Sequence, residues 1–321
     1  MRKPKLGLGA MGMSEVYGPA DRGESIATVH AALDAGVTVI DTGDFYGMGH
    51  NELLLAEALR GRPRESYQLS VKFGHLRGPG PVFGGMDGRP EAVRNFLAYS
   101  LTRLGVDHID IYRPARLDPA VPIEETVGAI KEMVDAGYVR EIGLSEVTAE
   151  TVRRAHAVHP IADLQIEFSL LSRAVEAEIL PTLRELGIAM TAYGVLGRGL
   201  LSGRWRAGQP TAPDDMRGTS PRFADGNVQH NLALVEDLRR VADAKGCTVA
   251  QLAIAWVAGQ GADILPLVGA RSRERLSEAL AALEVRLDAT DLAEIEKSVP
   301  VGAARGDRYP TAFMSNLGTD S

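Results

Sequence analysis

Asp41, Tyr46 and Lys72 are the residues whose types and spacing point to chemistry. Asp41 ends an apolar run, Val37-Thr-Val-Ile40-Asp41, which reads as a buried strand stopping in a polar group. Tyr46 follows in the Gly-punctuated stretch Thr42-Gly-Asp-Phe-Tyr46-Gly-Met-Gly49, and Lys72 closes a second short strand, Gln68-Leu-Ser-Val-Lys72. A phenol, an ammonium and a carboxylate at or just after strand ends are the parts of a tuned acid. A tyrosine titrates near pH ~10 when unperturbed. A nearby Lys favours the phenolate, and an Asp keeps the Lys charged and in place. The phenol then moves toward a range in which it can give and retake a proton.

The elements that must position these groups alternate along the chain. Strand-like segments fall near Leu6–Gly9, Val37–Asp41, Gln68–Lys72, Ile109–Tyr112, Val139–Leu144, Asp163–Ile166, Ile188–Ala192 and Ile264–Val268. Helical patterns occupy Glu24–Ala35, Asn51–Leu59, Pro90–Leu104, Ile123–Ala136, Ala149–His159, Ala177–Leu186, Asn231–Lys245 and Arg273–Leu283. Pro90 opens one helix and Gly105 closes it, while Gly36, Gly137 and Gly187 end others. Eight strands in a continuous strand–helix rhythm predict an α/β fold, the (β/α)8 TIM barrel, as one domain over residues 1–321. Two long loops, Gly74–Arg89 and Gly203–Asn227, are expected at the C-terminal face, where such barrels place their sites. An extra C-terminal helix starts near Asp288, and in the tail from Pro300 to Ser321, Tyr309 and Met314 are candidates to cover one barrel end.

Composition narrows the class. The 321 residues are 45% hydrophobic and 24% charged, ordinary for a globular enzyme. A net charge of −7 argues against nucleic acid or an anionic membrane as partner. One cysteine, Cys247, permits no intrachain disulfide and fits a reducing compartment. No apolar run approaches ~20 residues, and the N-terminus shows no signal-peptide pattern, so a cytoplasmic location is expected. His156-Ala-Val-His159 has H-x-x-H spacing on a predicted surface helix with no carboxylate companion, so no metal is expected there. No heptad or exposed apolar stripe indicates an oligomeric state.

Gly7-Leu-Gly9-Ala-Met-Gly12 matches the dinucleotide fingerprint GxGxxG. That motif needs a helix directly behind it. Here Gly18-Pro19 interrupts, and helical periodicity begins only near Glu24, so a Rossmann fold is rejected.

Six segments, in order, resemble the aldo-keto reductase superfamily: Asp41-Thr-Gly-Asp-Phe-Tyr46-Gly, Ser70-Val-Lys72-Phe-Gly, His108-Ile-Asp110-Ile-Tyr112, Val139-Arg-Glu-Ile-Gly143-Leu-Ser145, Leu164-Gln165-Ile-Glu167-Phe-Ser and Ala192-Tyr193-Gly-Val-Leu-Gly197-Arg198-Gly199-Leu200. The resemblance implies an NADPH-dependent reductase of small carbonyl compounds, with Tyr46 as proton donor, Lys72 tuning it and Asp41 paired to Lys72. The family's catalytic histidine falls on Ala115 in Ile109-Asp-Ile-Tyr112-Arg-Pro-Ala115-Arg116-Leu-Asp118-Pro119. Losing one such hydrogen-bond donor lowers rates by ~10²–10³. Water, Arg113, Arg116 or His75 are then the candidates to fill the space, although Arg113 and Arg116 read first as salt-bridge partners. In this segment the chain looks closest to a subgroup that includes pyridoxal reductases.

The resemblance further implies where the cofactor lies. Ser145 and Gln165 match the residues that hold the nicotinamide carboxamide, and Glu146 stands where Asn is usual, able to accept but not donate. Tyr193 matches the aromatic that stacks on the nicotinamide. Leu196, Gly197 and Arg198 match the pyrophosphate loop. Gly269, Arg271, Arg275 and Glu278 match the adenosine end, where two guanidinium forks suit a 2′-phosphate and favour NADP over NAD. Phe45, Phe83, Trp205 and Phe223 are expected as apolar substrate walls. A binding-only alternative, an NADP(H) sensor or scaffold, is suggested by the potassium-channel β subunits of this fold. Ala115 supports it, and the intact Asp41, Tyr46 and Lys72 argue against it.

Overall fold

The structure, a computed structural model, describes residues 6–14, 16–79 and 83–314. Eight parallel strands close into a barrel in the order β1, β10, β9, β8, β7, β6, β3, β2. These are β1 (Gly7–Gly9), β2 (Val39–Gly43), β3 (Gln68–Phe73), β6 (Ile109–Pro114), β7 (Val139–Ser145), β8 (Ile161–Glu167), β9 (Ala189–Tyr193) and β10 (Ile264–Gly269). All eight expected strands are present, and several run one or two residues past the expected C-terminal end. Between β3 and β6, β4 (His75–Arg77) and β5 (Phe83–Met86) form a separate antiparallel hairpin inside what the sequence presents as a loop.

Helices cover the outside, α1 (Arg22–Asp34), α2 (His50–Leu59), α3 (Pro90–Leu104), α4 (Ile123–Asp135), α5 (Ala149–Val158), α6 (Ile179–Leu186), α7 (Asn227–Ala244), α8 (Val249–Gly259), α9 (Arg273–Ala281) and α10 (Ala289–Ser298), while the short α11 (Thr311–Met314) lies at the barrel mouth. Local chemistry sets their ends. The Asp21 carboxylate caps α1 by accepting from Glu24 N at 2.6 Å. Pro90 opens α3, and Gly105, at φ 68°, closes it. α8 is apolar almost all round and is buried along nearly its whole length, the only arrangement that keeps such a helix out of water. The core lies between barrel and helices, with Leu8, Ile40, Leu69, Ile109, Ile142, Leu164 and Val257 fully buried.

β1 leads into a short 3-10 turn, Met11–Met13, and among the described residues no α-helix begins before Arg22. The glycines of the rejected fingerprint therefore form a strand and a tight βα loop. After α10 the chain returns across the barrel mouth as an arm. Asn231 on α7 pins it twice, donating from Nδ2 to the Arg305 carbonyl at 2.9 Å and accepting from Arg305 N at 2.8 Å.

Candidate active site

A cavity of about 770 Å³ opens at the C-terminal ends of the barrel strands. Asp41, Lys72, Ser145, Gln165, Tyr193 and Gly269 reach it from the ends of six different strands, which is how a parallel barrel gathers residues distant in sequence. Tyr46 joins them from the loop after β2. That loop is held from both sides: Thr42 Oγ1 donates to Asn51 Oδ1 at 2.6 Å, and Asn51 Nδ2 donates to the Ala10 carbonyl at 2.9 Å. Gly47 and Gly49, at φ 56° and 92°, allow the sharp turn that directs Tyr46 inward.

Lys72 Nζ is ion-paired with Asp41 Oδ1 and lies 5.0 Å from the centre of the Tyr46 ring. Asp41 Oδ2 accepts from Ser70 Oγ at 2.8 Å and from Gln165 Nε2 at 2.7 Å. The carboxylate is thus fixed by three donors, and it fixes Lys72 in turn. Burial pushes the Lys72 ammonium below its usual range, Asp41 opposes that shift, and Arg113 and Arg116 add to it. An ammonium that holds its proton less firmly than in water is a closely matched partner for a phenol.

Ala115 is fully buried, and its N–H donates to the Phe73 carbonyl at 2.8 Å, so no side chain fills that place from β6. Arg113 is buried and paired with Asp163 at 3.0 Å, the role its sequence suggested. Arg116 is not. It lines the cavity and donates to the Ala115 carbonyl at 2.6 Å and the Tyr309 hydroxyl at 3.4 Å. His75 also lines the cavity, its ring 4.5 Å from that of Phe45, which in turn meets the Tyr46 ring edge-on at 4.8 Å. Burial, with Arg116 and Arg77 nearby, pushes the His75 imidazole down to about 3, so it is neutral at physiological pH.

The expected cofactor residues divide. Ser145, Gln165, Tyr193, Leu196, Arg198, Gly269, Arg271, Arg275 and Glu278 all line the cavity. Ser145 Oγ is buried there with no hydrogen-bond partner among the described residues, an orphaned donor that suits a ligand amide. Gly197 and Glu146 do not line it. Gly197, at φ 53°, is buried, and a Cβ there would meet the Leu171 side chain at 3.0 Å. Glu146, also in the left-handed region at φ 53°, is fully buried, its carboxylate engaged by the protein's own donors. Glu146 Oε1 accepts from Tyr193 OH at 2.7 Å, and Oε2 accepts from Arg308 Nη2 at 2.9 Å. Burial alone would raise the Glu146 carboxyl, but Arg308 and Arg116 hold it down at about 2. The sequence-based expectation that Glu146 faces the carboxamide therefore gives way to a buried ion pair.

Of the expected substrate walls, Phe45 and Trp205 line the cavity. Phe223 stands behind Trp205, edge-on at 4.9 Å, and supports it. The Phe83 side chain lies outside the described residues. Tyr309 covers the mouth, its hydroxyl 2.9 Å from that of Tyr193, whereas Met314 lines a separate cavity of about 390 Å³ behind the arm. The remainder of the tail, 315–321, lies outside the described residues.

Sequence reading missed several contributors. Arg204 lines the same cavity and pairs with Glu278 at 2.7 Å. Arg271 donates to the Tyr17 carbonyl at 2.9 Å, tying the loop after β1 to the end of β10. Arg217 lies between the rings of Tyr17, at 5.3 Å, and Trp205, at 4.6 Å, so the two loops meet over the cavity. Lone residues in loops carry no periodic signal, and none of these contacts was visible before folding.

A TIM barrel with a Tyr–Lys–Asp cluster at its C-terminal mouth defines a class of reductases. The chain matches the aldo/keto reductase family over residues 5–300 and belongs to it. "Probable aldo-keto reductase 1" of Glycine max is 42% identical over 306 residues, spanning 95% of this chain and 88% of the soybean protein. Among solved structures, the glycerol dehydrogenase AKR11B4 of Gluconobacter oxydans superposes with a TM-score of 0.84 at 26% identity, over 99% of this chain and 93% of that one. An aldo/keto reductase of Klebsiella pneumoniae, in complex with NADP and acetate, superposes with a TM-score of 0.74 at 28% identity, over 96% and 95% of the two chains. No described helix is long and apolar enough to cross a membrane.

Proposed function

We propose that this chain reduces an aldehyde or ketone to the alcohol with NADPH, with Tyr46 as the proton donor. The observation that carries this reading is the convergence of Tyr46, Lys72 and Asp41 on one cavity wall, beside a buried Ser145 hydroxyl that lacks a partner. Bound NADPH supplies a hydride to the carbonyl carbon. As the C=O π pair moves onto oxygen, the Tyr46 hydroxyl gives its proton to that oxygen. Lys72, 5.0 Å from the ring centre, stabilises the phenolate left behind, and Asp41 keeps Lys72 in register.

Ser145 and Gln165 would hold the nicotinamide carboxamide, with the Tyr193 ring beneath it. Gln165 already gives one N–H to Asp41, so its carbonyl oxygen is the part left to receive the carboxamide NH2. Leu196 and Arg198 would lie along the pyrophosphate, and Arg204, Arg271 and Arg275 around the 2′-phosphate, which is why we assign NADP rather than NAD. That relatives such as the Klebsiella pneumoniae protein bind NADP supports the assignment. With Ala115 in the family's histidine position, Arg116, which donates to the Ala115 carbonyl, and His75 are the cavity-lining candidates to take that part. Pyridoxal remains a named candidate substrate on the likeness of the Arg113–Arg116 segment.

The test is NADPH oxidation with a panel of carbonyls that includes pyridoxal, in wild type and Tyr46→Phe. Turnover in wild type that falls by ~10²–10⁴ in Tyr46→Phe is expected. NADPH binding with no turnover of any carbonyl would overturn the reductase reading and favour a cofactor-binding sensor.

A further inference from the structure

Three carboxylates at the barrel mouth, Asp41, Glu146 and Glu167, are each answered by cations. Asp41 is paired with Lys72 and Glu146 with Arg308, while Glu167 is shared by Arg222, Arg198 and Arg308. Arg116 breaks this pattern. Its guanidinium lines the cavity, half-buried, and its hydrogen bonds go to neutral oxygens, the Ala115 carbonyl and the Tyr309 hydroxyl. No carboxylate of the described residues forms an ion pair with it. Its charge is balanced at longer range by Glu146, a carboxylate that Arg308 already holds directly, and a guanidinium cannot shed its proton to relieve partial burial. Its field is felt nearby: Arg116 helps depress Lys72 and His75 and helps keep Glu146 ionised.

Position separates Arg116 from the cofactor's phosphates. It follows β6, which neighbours the Lys72 strand β3 in the barrel. Arg271 and Arg275 follow β10, with β1 and β2 between them and β3. Arg116 therefore belongs to the end of the cavity where the carbonyl reacts, next to the space vacated at Ala115. We infer that Arg116 is an anion anchor, and that the substrate is an oxo compound carrying a carboxylate or phosphate a few bonds from its carbonyl. A planar guanidinium offers paired N–H donors to such a group. This inference rests on the reductase reading of the same site.

The experiment compares 4-carboxybenzaldehyde, its methyl ester and 4-formylphenyl phosphate with wild type, Arg116→Met and Arg116→Lys. A wild-type kcat/KM roughly ten- to a hundred-fold higher for an anionic aldehyde than for the ester is expected. Which anion wins identifies carboxylate or phosphate. Arg116→Met should erase the preference, Arg116→Lys should keep part of it, and NADPH affinity should be unchanged in both. Equal rates for acid and ester in wild type would overturn the inference. So would an equal slowing of both in Arg116→Met, which would place the guanidinium on the carbonyl itself. If wild type reduces none of the aldehydes, the reductase reading falls separately. The anchor is then read from binding of 4-(hydroxymethyl)benzoate and its methyl ester to the NADP+ complex by tryptophan fluorescence. Tighter binding of the acid in wild type but not in Arg116→Met would sustain it, and equal binding would sink it.

Discussion

Glu146 shows how one residue can leave a site without leaving its neighbourhood. The sequence puts it between Ser145 and the next turn, where the resemblance expects an amide that faces the cofactor. A carboxylate there would meet a carboxamide it can satisfy only in part. With its backbone left-handed at φ 53°, it instead accepts from the Tyr193 hydroxyl and from Arg308. The pair is fully buried on the Glu146 side and nearly so on the Arg308 side. Removing one member of a buried pair strands the other charge, a loss of ~3–5 kcal/mol in comparable cases. Glu146→Gln should therefore lower the unfolding free energy by about that amount in urea titrations. Glu146→Gln combined with Arg308→Met should recover much of the loss. A single variant as stable as wild type would show that the pair does not anchor the arm.

At the level of elements, the barrel was legible because its strands are short apolar runs and its helices carry local stop signals such as Gly105 and Gly187. The β4–β5 hairpin was not, since its few residues include adjacent glycines and no alternating pattern. The arm was legible only in part. Tyr309 was expected at the mouth, but what holds it there is a set of distant contacts, from Asn231 to Arg305 and from Glu146 to Arg308, which leave no periodic trace. Phe223 was misplaced for a similar reason: a loop aromatic reads alike whether it faces a ligand or backs another ring. Likewise Arg116 reads as a strand-end ion-pair partner until the structure shows that its neighbours are already paired. The arm also makes a testable crossing. Gly306, at φ 84°, passes so close to loop 203–227 that a Cβ would come within 2.6 Å of the Pro221 backbone. Gly306→Ala combines backbone strain with a steric clash, each ~1–3 kcal/mol. The variant should melt at lower temperature and show a raised KM for the carbonyl, because Tyr309 is displaced. An unchanged carbonyl KM would mean that the arm does not shape the substrate end.

For the molecule as a whole, two buried groups near Tyr46 tilt stability with pH in opposite directions. His75 is pushed from 6.5 to about 3 by burial and by Arg116 and Arg77. Between those values the unfolded chain binds the proton and the folded one does not, so its contribution is complete above pH 6.5 and is lost as pH falls toward 3. Asp44 is raised from 3.8 to about 8 by burial and by the neighbouring Glu52, with Arg103 opposing. There the folded chain holds the proton that the unfolded one releases, so its contribution is complete below pH 3.8 and is lost as pH rises through 8. The two slopes oppose each other between about pH 4 and 6.5, and above that window Asp44 acts without His75. Stability should therefore decline from pH 6.5 to 8 by about 1 kcal/mol, since Asp44 is half ionised at the upper limit and the last of the His75 effect offsets part of the fall. Asp44→Asn keeps a carbonyl acceptor for the Gly74 and Phe45 N–H groups but cannot ionise, so it should flatten the decline. Urea titrations of wild type and Asp44→Asn at the two pH values decide the matter. A wild type equally stable at both, or a variant that declines just as steeply, would show that Asp44 is not the group responsible.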